Sequence, residues 1–314
     1  MLWLCDDQRG VDAILALGPP KIAPRRVANL DPRADGVAVV ELRGVLTKDG
    51  TDYGMSTADV AAKVRAAAND PTCAALVLLI DSPGGEVSGT TALADAVAQC
   101  TSRKPTFAVV EDLCTSGAYL VASQCSRIFS TNRLARFGSI GVYGVLIDSA
   151  GAFEKLGLKT VRIRSGELKG IGAPGIEISD DEQAHMRDLV MFASREFITR
   201  VANGRHLPPD QVRTLATGAA WPAPEAQRLG LVDGILSLEN VIASIDRPLI
   251  RLAIDARQFA QQLERLEEAG QSAWQAEQQM FERHQKLAAS ADKFRSLPPW
   301  QQSQLTNLAQ GNLQ

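Results

Sequence analysis

An unbroken apolar run, Ala74–Ile80, sets the first limit on what this chain can fold into. It is too short for a buried helix of ordinary length and suits a strand. No polar residue alternates within it, so both faces of that strand must be covered. A strand covered on both faces belongs to a largely parallel sheet with helices packed against it. The neighbouring segments agree. Val37–Leu42 reads as a strand ended by Arg43-Gly44, and Thr106–Val110 as another. Between them, apolar residues at helical spacing predict helices over Thr57–Ala68, capped by Ser56, and over Ser88–Cys100. Further along, short strands are expected over Arg127–Ser130, Ile140–Ile147 and Thr160–Arg164. A helix is expected over Ala150–Leu156, and the capping box Ser179-Asp180-Asp181-Glu182 opens a longer one reaching about Val201. Strands alternating with helices define an α/β core of repeated strand–helix units.

The 314 residues divide by composition. Residues 1–35, rich in Pro, Arg and Asp, read as an arm outside the core, and 36–245 carry the α/β pattern. From about Ala256, Gln, Glu, Ala and Arg dominate. Over 256–290, Phe259, Leu263, Leu266, Ala273, Met280 and Leu287 approximate a heptad seam broken by Gly270 and Glu277, which predicts a helical, coiled-coil-like extension. Residues 291–314 read as a disordered tail. A net charge of −3 offers no basic face for nucleic acid. No window approaches the roughly 18 uncharged apolar residues of a membrane span, so no membrane anchor is expected and a cytoplasmic location is. Five cysteines in an odd set without a CxxC pair predict reduced, buried thiols, and no cofactor or metal is expected.

Chemistry concentrates at two places. Asp81-Ser82-Pro83-Gly84-Gly85 closes the apolar run, and paired glycines let backbone amides approach a ligand closely. Thr115-Ser116-Gly117-Ala118-Tyr119 puts a serine where a strand gives way to a helix. One reading of Ser116 is a plain N-cap. The other is a nucleophilic hydroxyl facing N–H donors that would hold an oxyanion. The histidines His185, His206 and His284 all stand in solvated contexts. A Ser-His-Asp arrangement is therefore disfavoured, although its members can lie far apart in sequence. A lysine replaces histidine as base where burial lowers its pKa. Lys169, in Arg164-Ser165-Gly166-Glu167-Leu168-Lys169-Gly170 after an expected strand, is the candidate; an exposed loop lysine is the alternative. Lys104 and Lys159 precede strands and read as surface residues.

Taken in order, Asp81–Gly85, Ser116–Tyr119, Gly138-Ser139-Ile140-Gly141-Val142 and Arg164–Lys169 resemble the signal peptide peptidase A family of Ser-Lys peptidases, over roughly residues 36 to 245. The resemblance implies a Clp-protease/crotonase-like fold, Ser116 as nucleophile and Lys169 as general base. It further implies Ser139 orienting the amine, and an oxyanion hole from the amides of Gly85 and Gly117 with Gly84 adjacent. Such peptidases form rings and complete their grooves by assembly, so a homo-oligomer acting on polypeptide is implied. Ala118 stands where many members have a second glycine. The absence of an anchor and the Gln/Glu-rich extension make the chain more similar to the tailed-phage capsid-maturation branch. That branch implies capsid or scaffold proteins as partners, in host cytoplasm or virion. Three alternatives stand beside it: a signal-peptide-degrading peptidase, a crotonase-type acyl-CoA enzyme, and an inactive assembly protein.

Overall fold

The computed structural model describes residues 2–5, 36–51, 54–70, 73–245, 262 and 265. Its strands are β1 (Leu2–Cys5), β2 (Val37–Thr47), β3 (Gly54–Ser56), β4 (Ala75–Glu86), β5 (Thr106–Thr115), β6 (Arg127–Ser130), β7 (Arg136–Gly138), β8 (Tyr143–Gly144), β9 (Ala220–Pro222) and β10 (Gly234–Ile235). The helices are α1 (Thr57–Asn69), α2 (Val87–Thr101), α3 (Gly117–Ala122), α4 (Ala150–Lys155), α5 (Asp180–Arg205), α6 (Pro209–Leu215), α7 (Ala223–Arg228) and α8 (Leu238–Ser244).

The apolar run became the middle of the sheet. β4 pairs in parallel with β2 on one side and β5 on the other, and β5 continues in parallel to β6 and then β10. Alternation along β4 divides the molecule into two cores. Leu76, Leu78 and Ile80 join the larger one with α1, α2 and α3; Ala75, Val77 and Leu79 join Val109, Phe129, Val241 and Ile242 on the opposite face. Helix α8 supplies the last two of these, so both faces are covered and a polar residue has no place in the run. Truncating one such fully buried leucine to alanine costs about 2–5 kcal/mol.

Beyond Ile80 and Val110 the two central strands change partners. The β4–β5 register shifts between Ile80 and Ser82, and the end of β5 pairs with β7, Thr115 opposite Gly138. The end of β4 lies between β2, with Leu46 opposite Gly85, and β1. Within the 1–35 arm, β1 thus belongs to the sheet, while residues 6–35 lie outside the described residues. So do the 256–290 extension, apart from helical Gln262 and Arg265, and the 291–314 tail.

The capping signals are realised. Ser56 and Ser179 accept from Asp59 and Glu182 amides, and the Glu182 side chain returns to the Ser179 amide, completing the capping box. Three expectations are corrected. Thr160–Arg164 forms no strand, leaving Val161 and Ile163 exposed, because no strand among the described residues pairs with it. Only Tyr143–Gly144 of the expected Ile140–Ile147 strand pairs. Lys104 is buried: its ammonium donates to the Ala67 carbonyl at 2.7 Å and the Asp70 carbonyl at 2.5 Å, closing the C-terminal end of α1.

Candidate active site

β5 ends at Thr115 and α3 begins at Gly117, so Ser116 makes the whole turn, with φ 52° and ψ −123°. A non-glycine residue in such a region costs of order 1–3 kcal/mol and persists only where its surroundings impose it. Here they do. The Ser116 amide donates to the Gly138 carbonyl at 2.7 Å, and its carbonyl accepts from Leu120 at 3.0 Å. Ser56, Ser179 and Ser237 show what a capping serine looks like: negative φ and a hydroxyl that accepts a helix amide. Ser116 does neither, which removes the plain N-cap reading. Its hydroxyl is not spent on the helix, and the amide of Gly117 has no acceptor within the helix it starts.

The glycine turn lies alongside because Ser82 pairs with Cys114, two residues before Ser116. The Ser82 hydroxyl donates to the Gly44 carbonyl at 2.6 Å and accepts from the Gly84 amide at 3.2 Å. Gly84, at φ 93°, therefore serves to shape the turn. Gly85 is required for a different reason: a Cβ there would stand 1.9 Å from the Leu46 carbonyl oxygen. Ser139 mirrors Ser116. Each follows one member of the Thr115–Gly138 pair, each has positive φ, and the Ser139 amide donates to Ala219 at 2.7 Å. Against Gly138 packs the indole of Trp221, 2.6 Å from where a Cβ would be. Trp221 carries no local signal in the sequence, since its place against Gly138 depends on the β7–β9 pairing.

Strand pairing thus brings Ser116, Ser139, Gly84, Gly85 and Gly117 together; no pairing or hydrogen bond among the described residues ties Lys169 to them. It is exposed, in a turn where its amide donates to Gly166 at 3.0 Å, and among the described residues no hydrogen bond joins it to Ser116 or Ser139. Its loop is anchored elsewhere. Arg162 donates to the Gly170 carbonyl at 3.1 Å, and Arg162 and Arg164 both reach the buried Glu182 carboxylate, at 2.6 and 3.3 Å. The Ser179 amide first, and then the two guanidiniums, hold the Glu182 carboxyl below its usual range against the opposing effect of burial. Glu182 was legible only as a capping residue; its partners sit about twenty positions upstream.

Cys114 points into the core, where burial raises its thiol well above the ordinary value, so it does not share the site. Cys73, Cys100 and Cys125 are likewise buried and reduced, with Cys100 pushed up to about 11 by burial. His206 is an exposed helix C-cap and His185 is half-buried; neither hydrogen-bonds Ser116. His284 lies outside the described residues. Among the described residues no cluster is suited to a metal and no helix is long and apolar enough to cross a membrane. A cleft of about 510 Å³ lies between β8 and α5, lined by Val142, Tyr143, Leu146, Met186 and Val190; it is distinct from the Ser116 turn.

A parallel α/β sheet that holds a serine at positive φ in a strand-to-helix turn beside a glycine turn puts a hydroxyl and backbone amides at one place. Residues 98–250, just under half of the chain, match peptidase family S49, to which the chain is similar. It is 30% identical over 250 residues to capsid assembly protease C of Escherichia phage lambda, covering 78% of this chain and 55% of that one. It is 29% identical over 224 residues to head-tail preconnector protein GP5 of Enterobacteria phage P21, covering 70% and 44%. Protease 4 of Salmonella typhi is 26% identical over 209 residues, covering 66% and 34%. The chain spans little more than half the length of the first curated relatives it matches. A solved enoyl-CoA hydratase/isomerase family member overlays 84% of this chain and 88% of its own at 20% identity, with a TM-score of 0.42.

Proposed function

We propose that the chain is a serine endopeptidase in which Ser116 is the nucleophile and Lys169 the general base. The neutral lysine amine takes the hydroxyl proton as Oγ attacks the peptide carbonyl. The amides of Gly85 and Gly117 receive the oxyanion, and Gly84 holds the turn that aims them. Collapse expels the leaving amine, which takes the proton from lysine, and leaves an acyl-enzyme. Water, deprotonated by the same amine, attacks the ester and frees Ser116. Ser139 positions the amine. The observation carrying this reading is the uncapped, positive-φ Ser116 beside the glycine turn in a chain similar to family S49.

Assembly of copies supplies what the single chain lacks. The loop of Lys169 belongs to a stretch with Val145, Ile147, Leu156, Val161 and Ile163 exposed, Ile163 at 95%. Packing between copies covers these side chains and takes the amine out of water beside a Ser116 turn. Relatives named as a capsid assembly protease and a head-tail preconnector support capsid or scaffold proteins as the substrate. The test is fluorophosphonate labelling with intact-mass readout, on wild type and on Ser116→Ala, Lys169→Ala and Ile163→Asp. A single adduct on Ser116 is expected in wild type only, with Ile163→Asp also eluting as a smaller species by light scattering. Peptide cleavage unchanged in Ser116→Ala or Lys169→Ala defeats the dyad. Assembly without cleavage in any form points instead to an inactive assembly protein.

A further inference from the structure

Leu2–Cys5 lies between two edges that belong to the site. On one side it pairs antiparallel with the glycine turn: Trp3 opposite Glu86, Leu4 opposite Gly85, Cys5 opposite Gly84. On the other it pairs antiparallel with β8, which follows the Ser139 turn, Leu2 opposite Gly144 and Trp3 opposite Tyr143. Paired strands stand ~4.8 Å apart, so lifting β1 away leaves a slot roughly 9.6 Å across with main-chain groups on both walls. Such a slot suits an extended peptide held by main-chain pairing along both of its edges.

The direction of the segment matters as much as its place. From Leu2 to Cys5 the chain runs from Glu86 toward Gly84, and so toward Ser82, the β4 residue aligned with Cys114 just before the Ser116 turn. In an acyl-enzyme mechanism, the residues preceding the cut bond stay on the enzyme and must lead a carbonyl to the nucleophile. β1 has that polarity. Its residues, Leu-Trp-Leu-Cys, are uncharged, and Asp6-Asp7 follow. Ser116 is 1% exposed in the chain with this segment in place.

We propose that the slot between the end of β4 and β8 is the acyl-side substrate groove, that it takes an extended apolar segment, and that Leu2–Cys5 is its resident occupant. The segment is an intramolecular competitor that other substrates must displace. The word substrate rests on the nucleophile reading above; the occupancy does not, and the test separates them.

The measurement uses the Ser116→Ala chain as parent, so that nothing is cut. Two variants free the slot: deletion of residues 2–7, and Trp3→Pro, which removes an N–H from a residue paired on both edges. The probe is a fluorescent Leu-Trp-Leu-Ser peptide, followed by anisotropy, with melting curves confirming that both variants fold. A segment filling the slot nine-tenths of the time weakens probe binding about tenfold, so both variants should bind about tenfold tighter than the parent. Amide exchange at 84–86 and 143–144 should rise in both when the probe is absent. Equal affinities in parent and variants overturn the proposal, as does failure of the probe to bind any of them. A tenfold difference alongside a wild-type Ser116 that never labels would discard proteolysis and leave the occupancy standing.

Discussion

At Ser116 stability and the proposed chemistry oppose one another. Glycine adopts φ 52° without penalty, so Ser116→Gly should raise the unfolding free energy by about 1 kcal/mol while abolishing peptide hydrolysis. Denaturant unfolding and a cleavage assay on one preparation check both halves. Gly85→Ala should lower stability instead and impair the site as well, since a methyl group 1.9 Å from the Leu46 carbonyl oxygen forces the strands apart. Its melting temperature should fall, and Ser116 labelling should slow even at temperatures where the protein stays folded. The sequence announced both residues through local spacing alone, as glycines ending an apolar run and a serine opening a helix. It could not announce Ser116's uncapped state or Gly84's engagement with Ser82, because both depend on carbonyls from β2 and β7 far away in sequence.

Among the elements, the strap from Thr160 to Gly170 differs most from its sequence pattern. Val161 and Ile163 alternate as a strand would, yet the described residues offer them neither a partner strand nor a core. Strand propensity is largely a statement about packing, so the pattern fails where packing is absent. Two guanidiniums on Glu182 hold the strap instead. The Glu182 pKa is lower in the folded chain than unfolded, so this tether is at full strength above the unfolded value and is lost as pH falls through the folded one. Limited proteolysis within 160–170 should therefore stay slow at pH 5 and rise only below the ordinary glutamate value of about 4.3. In Glu182→Gln it should be fast throughout, with both labelling of Ser116 and peptide cleavage reduced. By contrast α1, α2 and the starts of β4 and α5 were legible to within a few residues, because each is marked by a clear apolar pattern or a cap.

For the molecule as a whole, distant parts are tied by one polar cluster. Asp233 accepts from the Ile128 amide at 2.6 Å and from both Arg205 amino groups at 2.9 Å, while the Tyr119 hydroxyl donates to the Leu231 carbonyl at 2.9 Å. These bonds fasten α3 and the end of α5 to the segment between α7 and β10. Arg205 is 7% exposed, and removing its partner strands a largely buried cation. Asp233→Ala should thus cost about 3 kcal/mol, or roughly 6–12 °C of melting temperature for a core of this size. A calorimetric loss under 1 °C would show the cluster to be idle. No sequence pattern signals such a contact, since its members are 28 to 112 positions apart. One arrangement at this scale also furnishes an optical handle. The indole of Trp221 rests on the backbone of Gly138, whose carbonyl steadies the Ser116 amide. With the other three tryptophans changed to phenylalanine, emission from that single ring becomes a spectroscopic gauge of the turn, readable during subunit association or acylation without any added dye.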